Sequence, residues 1–348
     1  MRRIIILSFA IVLILIISTG LYLASRVFLP LREDASGDPV GIKIRMGLTV
    51  TAIAESLATY GIISNRENFI FTTRLFGNVK KLKAGSYHLH KGLSPYRAMN
   101  IIVAGKVSTI TVVIPEGLAS SQIASIFSKK LELDSTKLIN LINDQNFISS
   151  FNLSVNSLEG YLYPDTYSFV WGITEQEAIQ ILVRQFHRNF SDSLKQVVRD
   201  RGWTVHQIVT LASIIEGEAI FDNERAIISA VYHNRLKRGM PLQADPTIQY
   251  IIPDGPRRLL HRDLAIDSPY NTYKYSGLPP GPVNNPGIRS IMAAIHPAEV
   301  DYIFFVAKGD GTHIFSTTLR EHLAAKAKFD EYRREINRKK RLENRAEN

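Results

Sequence analysis

The sequence predicts an α+β fold carried behind an N-terminal transmembrane helix, and three observations predict it. Residues 4 to about 24 are almost wholly apolar, with Arg2 and Arg3 before them and Arg26 after them. Beyond this run, helix-period segments and alternating or β-branched segments follow one another without the regular alternation of a parallel α/β sheet. The 348 residues are 45% apolar and 21% charged, enough for a sizeable core and two or three domains.

The apolar run is about twenty residues long, which suits a bilayer span better than the roughly 7–15-residue core of a cleaved signal. Ser18-Thr-Gly20 keeps cleavage open as the other reading. Arg2, Arg3 and the α-amino group stand against Arg26 and Arg32, so the flanking charges nearly balance. A large polar portion behind a basic N-terminus favours a single pass with the N-terminus in and the rest outside the cytoplasmic membrane. The expected organisation is an anchor over 1–28, a Pro- and Gly-containing linker over 29–39, a region over 40–150 and a larger domain over 151–348.

In the third region, residues 40–46 alternate like a strand. Gly47-Leu48-Thr49 follows, then a helix with Val50, Ile53, Ala54, Leu57 and Ala58 on one face. Residues 65–76 read as a second helix and 82–89 as a strand. Ser94-Pro95 opens a third helix as a cap followed by proline. A shift of 70 positions aligns Ile44, Gly47, Leu48, Ile53, Ala54 and Leu57 with Ile114, Gly117, Leu118, Ile123, Ala124 and Phe127. Two ordinary strand–turn–helix units explain this, and so does a small repeated module. The first copy, Gly47-Leu-Thr-Val-Thr-Ala-Ile-Ala54 with Tyr60-Gly61, resembles the opening of a LysM domain, which implies binding to N-acetylglucosamine-containing polymers.

In the larger domain, Glu159-Gly-Tyr-Leu-Tyr-Pro-Asp-Thr-Tyr167 is an aromatic-rich loop or strand. Helices are expected over 174–190, 191–201, from Thr204 onward, from Asp222 to Gly239 and over 288–296. Residues 301–306 and 312–316 form a hairpin around Gly309-Asp-Gly311, and an amphipathic basic helix closes the chain.

Composition removes several function classes. There is no cysteine, so disulfides and thiolate metal sites are absent. No phosphate-binding glycine loop or nucleophile elbow occurs, and His233, His261, His296 and His313 lack metal spacing, so neither cofactor nor metal is expected. The net charge of +10 gathers partly in the tail, at Arg333-Arg334 and Arg338-Lys-Lys-Arg341. No nucleic-acid motif accompanies it, so a solvated face or attraction to a membrane or anionic wall polymer is expected instead.

The chemistry concentrates in Leu211-Ala-Ser-Ile-Ile-Glu-Gly-Glu-Ala219, an apolar helical run ending in two carboxylates. Ile208, Leu211, Ala212 and Ile215 make its buried stripe. Glu216 and Glu218, about 200° apart at 100° per residue, flank that stripe on opposite sides. Periodicity does not choose between them; both could be half-exposed, one pairing with Arg225. Gly217 makes a helix end possible there. A partly buried carboxylic acid keeps its proton at neutral pH and can protonate a glycosidic oxygen. Gln243, Asp245, Tyr270, Asn271, Thr272 and Tyr273 supply the neutral or acidic hydrogen-bonding and stacking groups that a sugar needs.

Seven ordered motifs carry a resemblance to the endolytic murein transglycosylase (YceG-like) family. They are Ala212-Ser-Ile-Ile-Glu-x-Glu218, Asn234-Arg-Leu236, Leu242-Gln-x-Asp-Pro-Thr247, Tyr270-Asn-Thr-Tyr273, Gly277-Leu-Pro-Pro-Gly281, His296-Pro297 and Glu159-Gly-x-Leu-x-Pro-Asp-Thr166. With the anchor and the LysM-like part, the resemblance spans nearly the whole chain. It implies a membrane-anchored enzyme that cuts nascent peptidoglycan strands internally, leaves 1,6-anhydro-N-acetylmuramic acid ends and works beside cell-wall synthesis proteins. It implies Glu218 as general acid and base; Glu216 is placed as a supporting residue, and the six polar residues above are the expected substrate-binding set. Lytic transglycosylases of other folds follow the glutamate with a small residue, usually Ser; here Ala219 stands there. Two other functions compete: a muramidase that hydrolyses with Glu218 and Asp245, and a non-catalytic wall-binding adaptor.

Overall fold

The computed structural model describes residues 2–30, 39–45, 47–105, 109–253 and 255–346, with the side chains of 2–8 and of most positions past 334 left aside. Much of the linker expected over 29–39 and the basic cluster after Arg338 therefore lie outside the described side chains. Two compact units divide the chain: Met1–Val112 with Ser168–Thr174, and Val113–Tyr167 with Glu175–Asn348.

The first unit opens with helix α1 (Arg2–Phe28). Its stretch Phe9–Phe28 is long and apolar enough to cross a membrane, and its side chains are largely exposed. Strand β1 (Val40–Ile44), helices α2 (Val50–Thr59) and α3 (Arg66–Leu75), strand β2 (Gly85–Leu89) and helix α4 (Pro95–Ala104) complete the unit. β1 and β2 pair antiparallel, with Ile42 opposite Tyr87. Ile42, Ile44, Ile53, Leu57, Phe69, Tyr87 and Met99 form one closed core between this hairpin-like pair and the helices. The expected strand over 82–89 begins later, at Gly85, because a 3-10 turn at Val79–Lys81 precedes it and the Tyr87 hydroxyl donates back to Lys83 O at 2.7 Å. Ser94 caps α4 with Pro95 in its first turn, as the sequence indicates.

In the second unit, β3 (Thr109–Ile114) leads to helices α5 (Ser120–Leu131), α6 (Ser135–Ile142) and α7 (Gln145–Ser149). Strand β4 (Asp165–Val170) pairs with β3, and the division between the units falls within both strands. Helices α8 (Glu175–Asn189), α9 (Asp192–Asp200), α10 (Val205–Glu218), α11 (Asp222–Lys237), α12 (Asp245–Ile251) and α13 (Ile288–Ile295) follow. Strands β5 (Phe304–Ala307) and β6 (His313–Ser316) form the antiparallel hairpin read from the sequence, and α14 (Leu319–Ala346) closes the chain. Small two-stranded sheets among many helices make this an α+β fold.

Helix α10 is the centre of the second unit. A reciprocal cap starts it: the Gln207 N–H donates to Thr204 Oγ1 at 3.1 Å, and the Thr204 N–H donates to Gln207 Oε1 at 2.9 Å. Residues 208–215 are all buried, and α10 packs on α11, α12 and α13. The two aligned Gly-Leu turns are real local repeats, with Gly47 at φ 82° and Gly117 at φ 78°, each between a strand and a helix. The first copy belongs to the first unit and the second to the unit that holds Glu218, so the region expected over 40–150 spans part of both.

Candidate active site

Helix α10 runs from the core to the surface, so its last turn delivers Glu216, Gly217 and Glu218 at a boundary. Gly217 does not end the helix, which continues to Glu218 and leaves at Ala219 (φ −82°, ψ 117°). Its role is close approach. A Cβ at position 217 would stand 2.6 Å from Pro246 Cγ, so only glycine lets α10 meet the start of α12.

The two acids face different partners. Glu216 Oε1 accepts from Arg225 Nη1 at 3.1 Å, and its Oε2 accepts the Gly287 N–H at 3.0 Å. Arg225 also donates Nε to Asp222 at 3.0 Å. Asp222, where the sequence starts this helix, lies in the first turn of α11 and pairs with Arg225 and Arg289.

Glu218 sits instead in a cleft of ≈ 710 Å³. The Tyr232 hydroxyl on α11, itself fully buried, donates to Glu218 Oε1 at 3.2 Å. Burial, reinforced by the nearby Asp245 charge, pushes the Glu218 carboxyl up to about 7. Hydrogen bonds from Tyr232 and the Asp245 N–H act in the opposite direction and lose to those two. The carboxyl therefore keeps its proton in a substantial share of molecules at neutral pH, unlike an ordinary glutamate.

One wall of the cleft is the turn around Gly117, Leu118 and Ala119 with Gln122; the other is Gly217, Asp245, Pro246, Gln249 and Tyr250. The first wall hangs on a buried carboxylate. Glu159, 5% exposed, accepts the Ser120 N–H at 3.0 Å and Asn285 Nδ2 at 2.9 Å. Asn285 in turn exchanges backbone hydrogen bonds with Gly117 and Leu118, each at 2.9 Å. Burial raises Glu159 to about 7, and the donors around it pull the other way.

Of the sequence-proposed binding residues, Asp245 lines the cleft. Its Oδ1 accepts the Tyr273 hydroxyl at 2.5 Å, so Tyr273 orients Asp245 from behind. The Tyr270 ring lies 5.0 Å from that of Tyr250, tilted by 44°, and Tyr250 does line the cleft. Asn271 and Thr272 are buried and hold backbone. Asn271 Nδ2 donates to Leu264 O and Ile266 O, and its Oδ1 accepts the Tyr273 N–H. Thr272 Oγ1 accepts the Ala244 N–H at 3.0 Å and shares a hydrogen bond with Thr247. Gln243 takes a left-handed backbone (φ 51°) and donates its N–H to Thr272 O at 3.0 Å, while its side chain accepts from Arg235. Gln243, Asn271 and Thr272 shape the turn that presents Asp245.

Sequence reasoning missed Asn284. It is 6% exposed and lines the cleft; its Nδ2 donates to Ser213 O at 2.8 Å, which leaves Oδ1 as a buried acceptor without a partner among the described residues. The signal was present in Val283-Asn-Asn-Pro286, the continuation of the Pro/Gly loop. Among the described residues no His, Asp or Glu cluster could hold a metal ion. His233 faces Ala294 O, His313 meets Glu224 at 2.8 Å, and His296 meets Arg201.

A family model described as the YceG-like family matches residues 42–328. The chain is similar to an endolytic murein transglycosylase of Bacillus subtilis (strain 168), with 35% identity over 326 residues, covering 89% of this chain and 90% of that protein. It is also similar to an endolytic murein transglycosylase of Streptococcus pneumoniae serotype 2 (strain D39), with 31% identity over 299 residues. That match covers 77% of this chain and 54% of the relative, so the chain spans about half the streptococcal protein's length. The 2.6 Å crystal structure of a yceG-like protein from Listeria monocytogenes superposes with a TM-score of 0.58 at 32% identity, covering 82% of this chain and 98% of that one.

Proposed function

Because the chain belongs to the YceG-like family, we propose that it is an endolytic murein transglycosylase, an enzyme that cuts peptidoglycan glycan strands internally. The observation that carries the chemistry is Glu218, an acid raised to about 7 in an open cleft. Glu218 gives its proton to the oxygen between N-acetylmuramic acid and N-acetylglucosamine as the C1–O bond breaks. The substrate's own N-acetyl carbonyl stabilises the cationic carbon. The Glu218 carboxylate then takes the proton of the C6 hydroxyl while O6 closes on C1, leaving a 1,6-anhydro end. Neither water nor a second carboxylate enters. The orphaned Asn284 Oδ1 fits a sugar hydroxyl or amide N–H as its donor.

A hydrolytic muramidase is the second reading, and the position of Asp245 beside Glu218 favours it. Asp245 would then activate water, and the products would carry reducing ends instead. Mass analysis of products from purified sacculi separates anhydro ends, reducing ends and no cutting.

The pH dependence tests the acid role. The acid must be protonated, so kcat/KM falls as pH rises through about 7. Tyr232→Phe removes a hydrogen bond that favours the charged form, so the falling limb moves to higher pH. Asp245→Asn removes a negative neighbour, so the limb moves to lower pH. A limb that stays in place in both variants would exclude Glu218 as the group being read.

Helix α1 would anchor the enzyme as a single pass with the N-terminus in and both units outside, among the cell-wall synthesis proteins. The Gly47 unit would hold glycan in the manner of a LysM domain, with Gly117 as its second copy at the cleft. A fragment of residues 39–112, which carries its own core, is expected to bind insoluble peptidoglycan weakly and to persist at 1 M salt, where the Debye length is about 3 Å. Release at high salt would mean that charge alone holds it.

A further inference from the structure

The anchor helix ends in a docked joint. Val27 is buried, and Arg26 Nε donates to Asn68 Oδ1 at 2.7 Å with its guanidinium 5.8 Å from the Phe71 ring centre. The Phe28 ring lies 5.0 Å from Tyr96 and 6.5 Å from Phe76. The end of α3 and the start of α4 are thereby fixed beside the last turn of α1.

Depth follows from helix geometry. A hydrocarbon layer of about 30 Å takes about twenty residues at 1.5 Å each, so a span entered at residue 4 leaves near residue 24. Phe28 then stands about 6 Å further along the axis, within the headgroup layer. Phe76 and Tyr96, which touch Phe28, share that level. The Tyr96 ring, apolar with a hydroxyl at its edge, favours this depth.

Around Phe76 the surface is unusual for a water-facing one. Leu75 is 61% exposed, and Phe76 and Val79 are each 41% exposed, with Arg74, Lys80 and Lys81 exposed among them. The surrounding sequence offers these cations no local acid: residues 68–115 contain seven Lys or Arg and no Asp or Glu. Apolar side chains interleaved with cations at headgroup depth make an interfacial contact.

We infer that this corner of the first unit rests on the outer leaflet and takes anionic lipid headgroups at Arg74, Lys80 and Lys81, with Leu75, Phe76 and Val79 entering the boundary. The inference rests on the anchor reading of α1. It gives the membrane a second contact, outside the span.

The chain has no cysteine, so single-cysteine variants can be spin-labelled cleanly. Full-length protein carrying Val79→Cys is reconstituted in phosphatidylcholine vesicles and in vesicles rich in phosphatidylglycerol; Ile16→Cys reports the span. The Val79 label is expected at headgroup depth in the anionic vesicles, shielded from an aqueous nickel chelate. Lys80→Glu with Lys81→Glu should release it, since each cation near an anionic surface is worth about fivefold in partitioning. An Ile16 label in the bilayer with a Val79 label fully open to the chelate overturns the corner contact and leaves the anchor standing. An Ile16 label open to the chelate overturns both. Equal shielding in the two vesicle types, unaffected by charge reversal, overturns the choice of anionic lipid.

Discussion

Glu218→Gln is expected to leave the protein folded and to lower glycan cleavage by about 10²–10⁴-fold, the range typical for a positioned general acid. The amide keeps the shape of the side chain and an oxygen that can accept from Tyr232, which now stands 3.2 Å away. It has no proton to give. Glu216→Gln should reduce cleavage far less, because Glu216 faces Arg225 and Gly287 rather than the cleft. The measurement is the yield of anhydro ends from purified sacculi, with circular dichroism confirming the fold. An inactive Glu216 variant beside an active Glu218 variant would reverse the roles.

Arg225→Met should produce the largest loss of stability. The Arg225 and Glu216 side chains are 9% and 6% exposed, so truncating one leaves the other as an uncompensated buried charge. Breaking such a pair costs about 3–5 kcal/mol, whereas replacing both partners with neutral groups costs much less. Arg225→Met combined with Glu216→Gln is therefore expected to recover a large part of the loss. The two tryptophans allow this to be read unit by unit in urea, since Trp171 belongs to the first unit and Trp203 to the second. The Trp203 transition should move and the Trp171 transition should stay. If the double variant is no more stable than the single one, the buried-pair account fails.

What could be read in advance follows the range of the signal. The Ser94 cap, the Gly-Leu turns, the hairpin around residues 309–311 and the apolar stripe of α10 are written within a few neighbouring residues, and they are found where expected. The opposite facing of Glu216 and Glu218 is a property of one helix and was visible as well. The rest depends on meetings between distant segments. Periodicity says nothing of Pro246 lying against Gly217, of Tyr232 reaching Glu218 or of Glu159 holding the turn around Leu118 through Asn285. Residue chemistry alone also misjudged depth. Asn271 and Thr272 have the hydrogen-bonding groups a sugar needs, but in this fold they are buried and bonded to the chain itself.

The contact between Gly217 and Pro246 ties the proton on Glu218 to the shape of the cleft. Burial and the Asp245 charge are what hold that proton, and both depend on α10 and α12 remaining together. Parting the helices would hydrate Glu218 and draw Asp245 away, and each change makes the acid release its proton more readily. Linkage is reciprocal: if closure tightens proton binding, proton binding tightens closure. With α10 and α12 parted the Glu218 carboxyl is thus a discharged one, and it keeps its proton only while these two helices touch.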